Sequence, residues 1–180
     1  MTELQEIENL IARVAMGDRE AFRRIYSRTS AKLFGVVLRV LNDRAEAEDV
    51  LQDVYVKIWN NAGRYRANGL SPMTWLITIA RNAAIDRKRR QRAATVGDVL
   101  TETLADPSPG PEGQAIAASD SARLEGCFGE LDGAHAEAVR RAYLEGESYA
   151  ELAAHFDVPL NTMRTWLRRS LLKLRECLSR

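Results

Sequence analysis

Apolar residues recur along this chain at three- and four-residue intervals, and no stretch sustains the strict alternation of a half-buried strand. The pattern therefore predicts helices throughout and an all-α fold. The first long apolar pattern runs from Leu4 to Leu41, with breaks expected near Gly17-Asp18 and again at Thr29-Ser30. Asn42-Asp43 supplies a turn and a cap. The next helix, Ala45 to Trp59, places Ala47, Val50, Leu51, Val54 and Ile58 on one face and leaves Glu46, Asp49, Gln52 and Asp53 on the other. "NNAGRYRANGLSP" reads as a loop, after which Ser71-Pro72 opens a helix with proline in its first turn. Trp75, Leu76, Ile79 and Ala83 form its apolar side. Toward the C-terminus, Leu124, Cys127, Phe128 and Leu131 predict one helix, and Ala138, Val139, Ala142 and Tyr143 another.

The last pattern is the most specific. Ser148-Tyr-Ala-Glu151 is a capping box, and Tyr149, Leu152, Ala153 and Phe156 form the apolar stripe of a short helix. Asp157-Val158 makes a turn, and Pro159 suits the first position of the following helix. That helix has Leu160, Met163, Leu167, Leu171, Leu174 and Leu178 as its expected core side, with Asn161, Thr162, Arg164, Thr165, Arg168 and Lys173 opposite. Two helices joined by so tight a turn fit a helix-turn-helix, whose second helix presents its N-terminal side chains to the major groove.

Between these patterns, "ADPSPGPEG" has the proline and glycine density of a linker. The chain thus divides into a first domain over 1–92, a flexible acidic linker over 93–118, and a four-helix second domain over 119–180 that contains the helix-turn-helix. At 180 residues there is room for two small cores and little more.

Charge sharpens this division. The net charge is only +1, but Arg81, Arg87, Lys88, Arg89, Arg90 and Arg92 meet a single nearby acid, Asp86. Arg164, Arg168, Arg169, Lys173, Arg175 and Arg180 meet only Glu176. From Ala93 to Glu137 the balance reverses, with Arg123 the single base among the acids. Two cationic blocks around an acidic tether imply two contacts with a polyanion and a connector that avoids it. A solvated helix would mix signs to gain pairs four residues apart. Here the cations instead stand beside base-reading residue types, Asn161, Thr162 and Thr165.

In the first basic block, Tyr65, Trp75 and Asn82 add aromatic surface and an amide, a combination suited to unstacked bases. Trp75, within Pro-Met-Thr-Trp-Leu, reads as a core residue, so Tyr65 in the loop is the stacking candidate. The acidic face of the 45–59 helix fits either solvent exposure or a protein contact. No catalytic constellation is present, which points away from an enzyme. Cys127, Cys177, His135 and His155 show no metal-ligand spacing, so no metal or cofactor is expected and the cysteines read as structural thiols. The N-terminus lacks a signal-peptide layout and no apolar run approaches bilayer length, which implies a cytoplasmic protein without membrane insertion.

Taken jointly, three segments resemble the extracytoplasmic-function sigma factors, the small two-domain group of the main bacterial sigma factor class. "AEAEDVLQDVYVKIW" (45–59) is similar to the segment that docks on core RNA polymerase, "MTWLITIARNAAIDRKRRQR" (73–92) to the segment that melts and reads the minus-10 element, and "YLEGESYAELAAHFDVPLNTMRTWLRR" (143–169) to the minus-35 reader. The resemblance implies polymerase contact by Asp49, Gln52 and Asp53. It implies minus-10 DNA contact by Tyr65, Arg81, Asn82, Arg89 and Arg90, with a base flipped near Tyr65 and Asn82. It implies minus-35 contact by Arg164, Thr165, Arg168 and Arg169, to which Asn161 and Thr162 add themselves by position. Promoter DNA, core RNA polymerase and a cognate anti-sigma factor are the expected partners. Trp166 departs from the family pattern, which commonly has a basic residue there. The competing readings are a dimeric helix-turn-helix regulator, for which no dimer seam is evident, and a helical adaptor, which would leave both cationic blocks without a purpose.

Overall fold

A computed structural model of the chain describes residues 3–67, 70–94 and 111–180. The described residues are helical, with short connections, and divide into two compact units, Met1–Glu102 and Thr103–Arg180.

In the first unit, α1 spans Glu3–Ala15, α2 Arg19–Leu41, α3 Arg44–Asn61 and α4 Pro72–Ala94, with one 3-10 turn at Ala62–Arg64. Gly17 has φ +82°, a left-handed conformation open to glycine, and this turns the chain between α1 and α2. Asp18 then caps α2, its carboxylate accepting from the Glu20 and Ala21 amides while Arg13 holds its other oxygen. The expected break at Thr29-Ser30 does not occur, and α2 runs straight through. Thr29 is fully buried, and its hydroxyl donates to the Ile25 carbonyl at 2.7 Å while meeting the Tyr55 hydroxyl at 2.7 Å. Its polar group is satisfied within the helix and by α3, so it has no cause to terminate α2.

Asn42 sits in the left-handed region at φ 56° and ends α2, and Asp43 caps α3 by accepting from the Glu46 amide. α2 packs against α1, α3 and α4. Ile11, Ile25, Leu33, Val37, Val54, Ile58 and Leu76 are fully buried among them.

The second unit is the expected four-helix domain: α5 Pro111–Gly129, α6 Gly133–Tyr143, α7 Tyr149–His155 and α8 Leu160–Leu178. α5 begins earlier than the expected boundary at 119, so residues 111–118 are helix and not linker; proline is compatible with its first turn because that amide needs no partner. The rest of the expected linker, 95–110, lies outside the described residues, and residues 93–94 belong to α4. Asp132 caps α6 by accepting from the Ala134 amide. α8 packs on α5, α6 and α7 around Leu152, Met163, Leu167, Ala138 and Val139.

Two sequence-based expectations fail in this unit. Cys127 and Cys177 are not free thiols but a disulfide, with Cα atoms 5.8 Å apart, joining the end of α5 to the end of α8. That spacing lies in the range a bridge requires, and a separation of 50 residues kept it from view in the sequence. Leu160 and Leu178 do not belong to the core: they are 38% and 36% exposed, at the two ends of α8 where the packed helices no longer cover them.

Candidate nucleic-acid interface

The helix-turn-helix is built as its sequence requires. The Ser148 hydroxyl accepts from the Glu151 amide, and the Glu151 carboxylate accepts from the Ser148 amide, so the capping box is closed. Asp157 turns the chain at φ 51°, the Val158 amide donates to the Ala153 carbonyl, and Pro159 stands at the N-cap of α8, one position earlier than expected. Tyr143 and Tyr149 join their hydroxyls at 3.0 Å, and Arg141 bridges Glu137 and Glu147, tying α6 to the loop before α7. Those carboxylates, Glu147 first, hold the Arg141 guanidinium above its ordinary range.

This scaffold fixes α8. Met163, Leu167, Ser170 and Leu174 face inward, leaving Asn161, Arg164, Thr165, Arg168 and Arg169 exposed and Thr162 half-buried. Five of the six expected minus-35 residues therefore stand on open surface. Within that surface the Arg164 guanidinium donates to the Asn161 side-chain oxygen at 3.2 Å, and the Thr165 hydroxyl donates to the Asn161 carbonyl at 3.0 Å. Trp166 is turned away from this group and half-buried, its ring 4.3 Å from His135 and 6.0 Å from Phe156. The indole thus props α8 against α6 and the end of α7.

In the first unit, α4 carries the other basic block. Asn82, Arg89 and Arg90 are exposed. Arg81 is not: only 1% of it reaches the surface, and its guanidinium donates to the Asn82 side-chain oxygen at 3.3 Å. Its expected place as a direct guide of the DNA backbone is corrected by register, since the residues one turn on, Ala84 and Ile85, are buried and Arg81 shares their face. From there it orients Asn82. Tyr65 lies half-buried with its ring edge-on to Trp75 at 5.4 Å and its hydroxyl donating to Glu8 at 3.1 Å. Burial, then the Glu8 carboxylate, pushes its phenol up to about 12. Trp75 packs partly buried against the core, as the sequence implied.

On α3, Asp49, Gln52 and Asp53 come together on one exposed face. Two neighbours of this face were missed from the sequence. Val56 is 58% exposed one turn beyond Gln52 and Asp53, an apolar residue among acids that a helical projection would have shown. Arg87 reaches across from α4, its Nε 2.5 Å from a Glu46 oxygen and its Nη2 3.9 Å from Asp49. The Glu46 bond and charge, with lesser attraction from Asp49 and Asp53, raise the Arg87 guanidinium above its ordinary value. No signal in the sequence links positions 46 and 87.

Among the described residues no group of His, Cys, Asp or Glu is placed to hold a metal ion, and no helix is long and apolar enough to cross a membrane.

Comparison with known proteins places the chain in a family. Residues 25–94 match the family Sigma-70 region 2, and residues 121–174 match Sigma-70, region 4. The ECF RNA polymerase sigma factor SigK of Mycolicibacterium vanbaalenii is 32% identical over 175 residues, covering 96% of this chain and 89% of that protein. SigK of Mycobacterium ulcerans is 31% identical over 182 residues, covering 96% and 94%. Among solved structures, Rhodobacter sphaeroides SigE, crystallised with the anti-sigma ChrR, is 25% identical with a TM-score of 0.49, covering 94% of this chain and 99% of that one. With regions 2 and 4 in order on separate helical units and relatives aligned along nearly the whole length, the chain belongs to the ECF family of RNA polymerase sigma factors.

Proposed function

We propose that this sigma factor divides its work by helix face. In the first unit, residues Asp49, Gln52 and Asp53 of α3 bind core RNA polymerase. Along α4, Arg89 and Arg90 guide opening DNA, and Tyr65 with Asn82 captures a minus-10 base from the melted strand. In the second unit, α8 reads the minus-35 element as duplex through Asn161, Thr162, Arg164, Thr165, Arg168 and Arg169. The protein then acts by binding and not by catalysis, in the cytoplasm, on stress-response promoters.

The observation that carries this reading is the segregation of surface charge by helix. The open face of α3 offers carboxylates to a protein partner, whereas the open faces of α4 and α8 offer guanidiniums to a polyanion. Base capture would supply about 1–3 kcal/mol per stacked base toward opening, and phosphate contacts would make binding salt-dependent. A cognate anti-sigma factor completes the proposal, since a protein covering the α3 face would withhold the chain from polymerase.

Titration of labelled protein into core RNA polymerase lacking any sigma subunit tests the docking role. Tight binding is expected, and the paired substitutions Asp49→Lys and Asp53→Lys should abolish it without unfolding the chain, because both residues are exposed. Absence of binding by the folded, unsubstituted protein would overturn the reading and favour a dimeric regulator of duplex DNA.

A further inference from the structure

We infer that Leu160 is a specificity residue of the minus-35 reader: it reads the 5-methyl group of a thymine beside a guanine recognised by Arg164. This rests on the proposed role of α8 and adds to it a particular chemical feature of the DNA. The motivating observation is the placement of a leucine where the apolar pattern leads one to expect a core residue. Leu160 is 38% exposed at the first position of α8, between the exposed residues Pro159 and Asn161.

A single exposed leucine needs no explanation in general. Its register gives this one a meaning. Arg164 is four residues on, so the two side chains are neighbours on one face of the helix. They occupy the N-terminal turns, the part of a recognition helix that meets base edges.

The rest of the surface narrows the chemistry. Asn161 accepts from the Arg164 guanidinium through its side-chain oxygen, which holds the arginine fork in place. Thr165 has committed its hydroxyl proton to the Asn161 carbonyl and so does not donate it to a base in this arrangement. Trp166 is packed on His135 and Phe156. A pre-oriented arginine is the characteristic reader of guanine O6 and N7, and the feature of the major groove matched by an aliphatic side chain is the thymine methyl.

The test uses the full chain bound to core RNA polymerase. Minus-35 duplexes are first selected from a randomised library, and then each thymine in the selected element is replaced by deoxyuridine, which removes only the methyl. For the unsubstituted protein one position should weaken binding about fourfold, the worth of one buried methyl-sized group. Leu160→Ala should bind the thymine and deoxyuridine duplexes equally, whereas Leu160→Met should retain part of the discrimination. Replacing the adjacent guanine by 7-deazaguanine should weaken binding by the unsubstituted protein and lose its effect in Arg164→Gln. A selected element without a methyl-sensitive thymine, or one whose methyl sensitivity survives Leu160→Ala, would overturn the inference while leaving the minus-35 role intact. Failure to select any duplex element would overturn that role and the inference together. Thermal unfolding of Leu160→Ala separates the readings further, because a packing role would lower stability without touching methyl discrimination.

Discussion

Tyr55 shows how one hydroxyl can hold two helices. Thr29 donates its proton to Ile25, so at the 2.7 Å contact Tyr55 is the donor to Thr29. Tyr55→Phe should cost about 1 kcal/mol, a typical hydrogen-bond contribution, because Thr29 keeps its bond within α2. Denaturant unfolding measures this. Burial also pushes the Tyr55 phenol up to about 12 from its ordinary 10. Between those values the unfolded chain has released the proton and the folded chain has not, so stability from this group is intact below pH 10 and is lost as the pH rises toward 12. Phenolate absorbance in the folded protein should therefore lag behind that of the denatured protein, and Tyr55→Phe should reduce the lag.

At the scale of elements, the disulfide and the caps hold α8. Breaking the Cys127–Cys177 bridge releases a separation of 50 residues, and loop-closure entropy puts the loss at about 4 kcal/mol. Thermal unfolding with and without reductant should show a destabilisation of this size in the second unit, reproduced by Cys127→Ser with Cys177→Ser. Ser148→Ala opens the capping box and should cost about 1 kcal/mol, read as a lower midpoint at unchanged slope. These elements differ in how well the sequence announced them. The capping box, the Asn42-Asp43 turn and the burial of Met163, Leu167 and Leu174 in α8 are local patterns, and each is found where local chemistry puts it. The disulfide, the Arg87–Glu46 pair and the burial of Arg81 depend on which helix lies against which, and no local pattern carries that. Thr29 misled because a threonine suggests a break only until α3 supplies it a partner. Leu160 misled because periodicity marks a face of a helix without marking where the neighbours covering that face end.

For the molecule as a whole, the chain carries two compact units, and the disulfide lies in the second. Reductant should shift one unfolding transition and leave the other in place, which scanning calorimetry would resolve. Promoter affinity should fall steeply with salt. Neutralising Arg168 and Arg169 together should weaken binding and reduce the logarithmic salt slope by about 0.9 for each phosphate left unneutralised. Asp49→Lys with Asp53→Lys should leave that slope unaltered for a minus-35 duplex, since those carboxylates are proposed to serve the protein partner.

α8 keeps its core residues and the residues proposed to read DNA on different sides of one helix: Met163, Leu167, Ser170 and Leu174 are buried while Asn161, Arg164, Thr165 and Arg168 are open. A substitution among the open residues changes stability by no more than about 0.5 kcal/mol. The set of genes such a factor controls is therefore free to drift by single replacements, each yielding a folded protein with a new address. After gene duplication, two copies could part ways in what they switch on long before their architectures diverge.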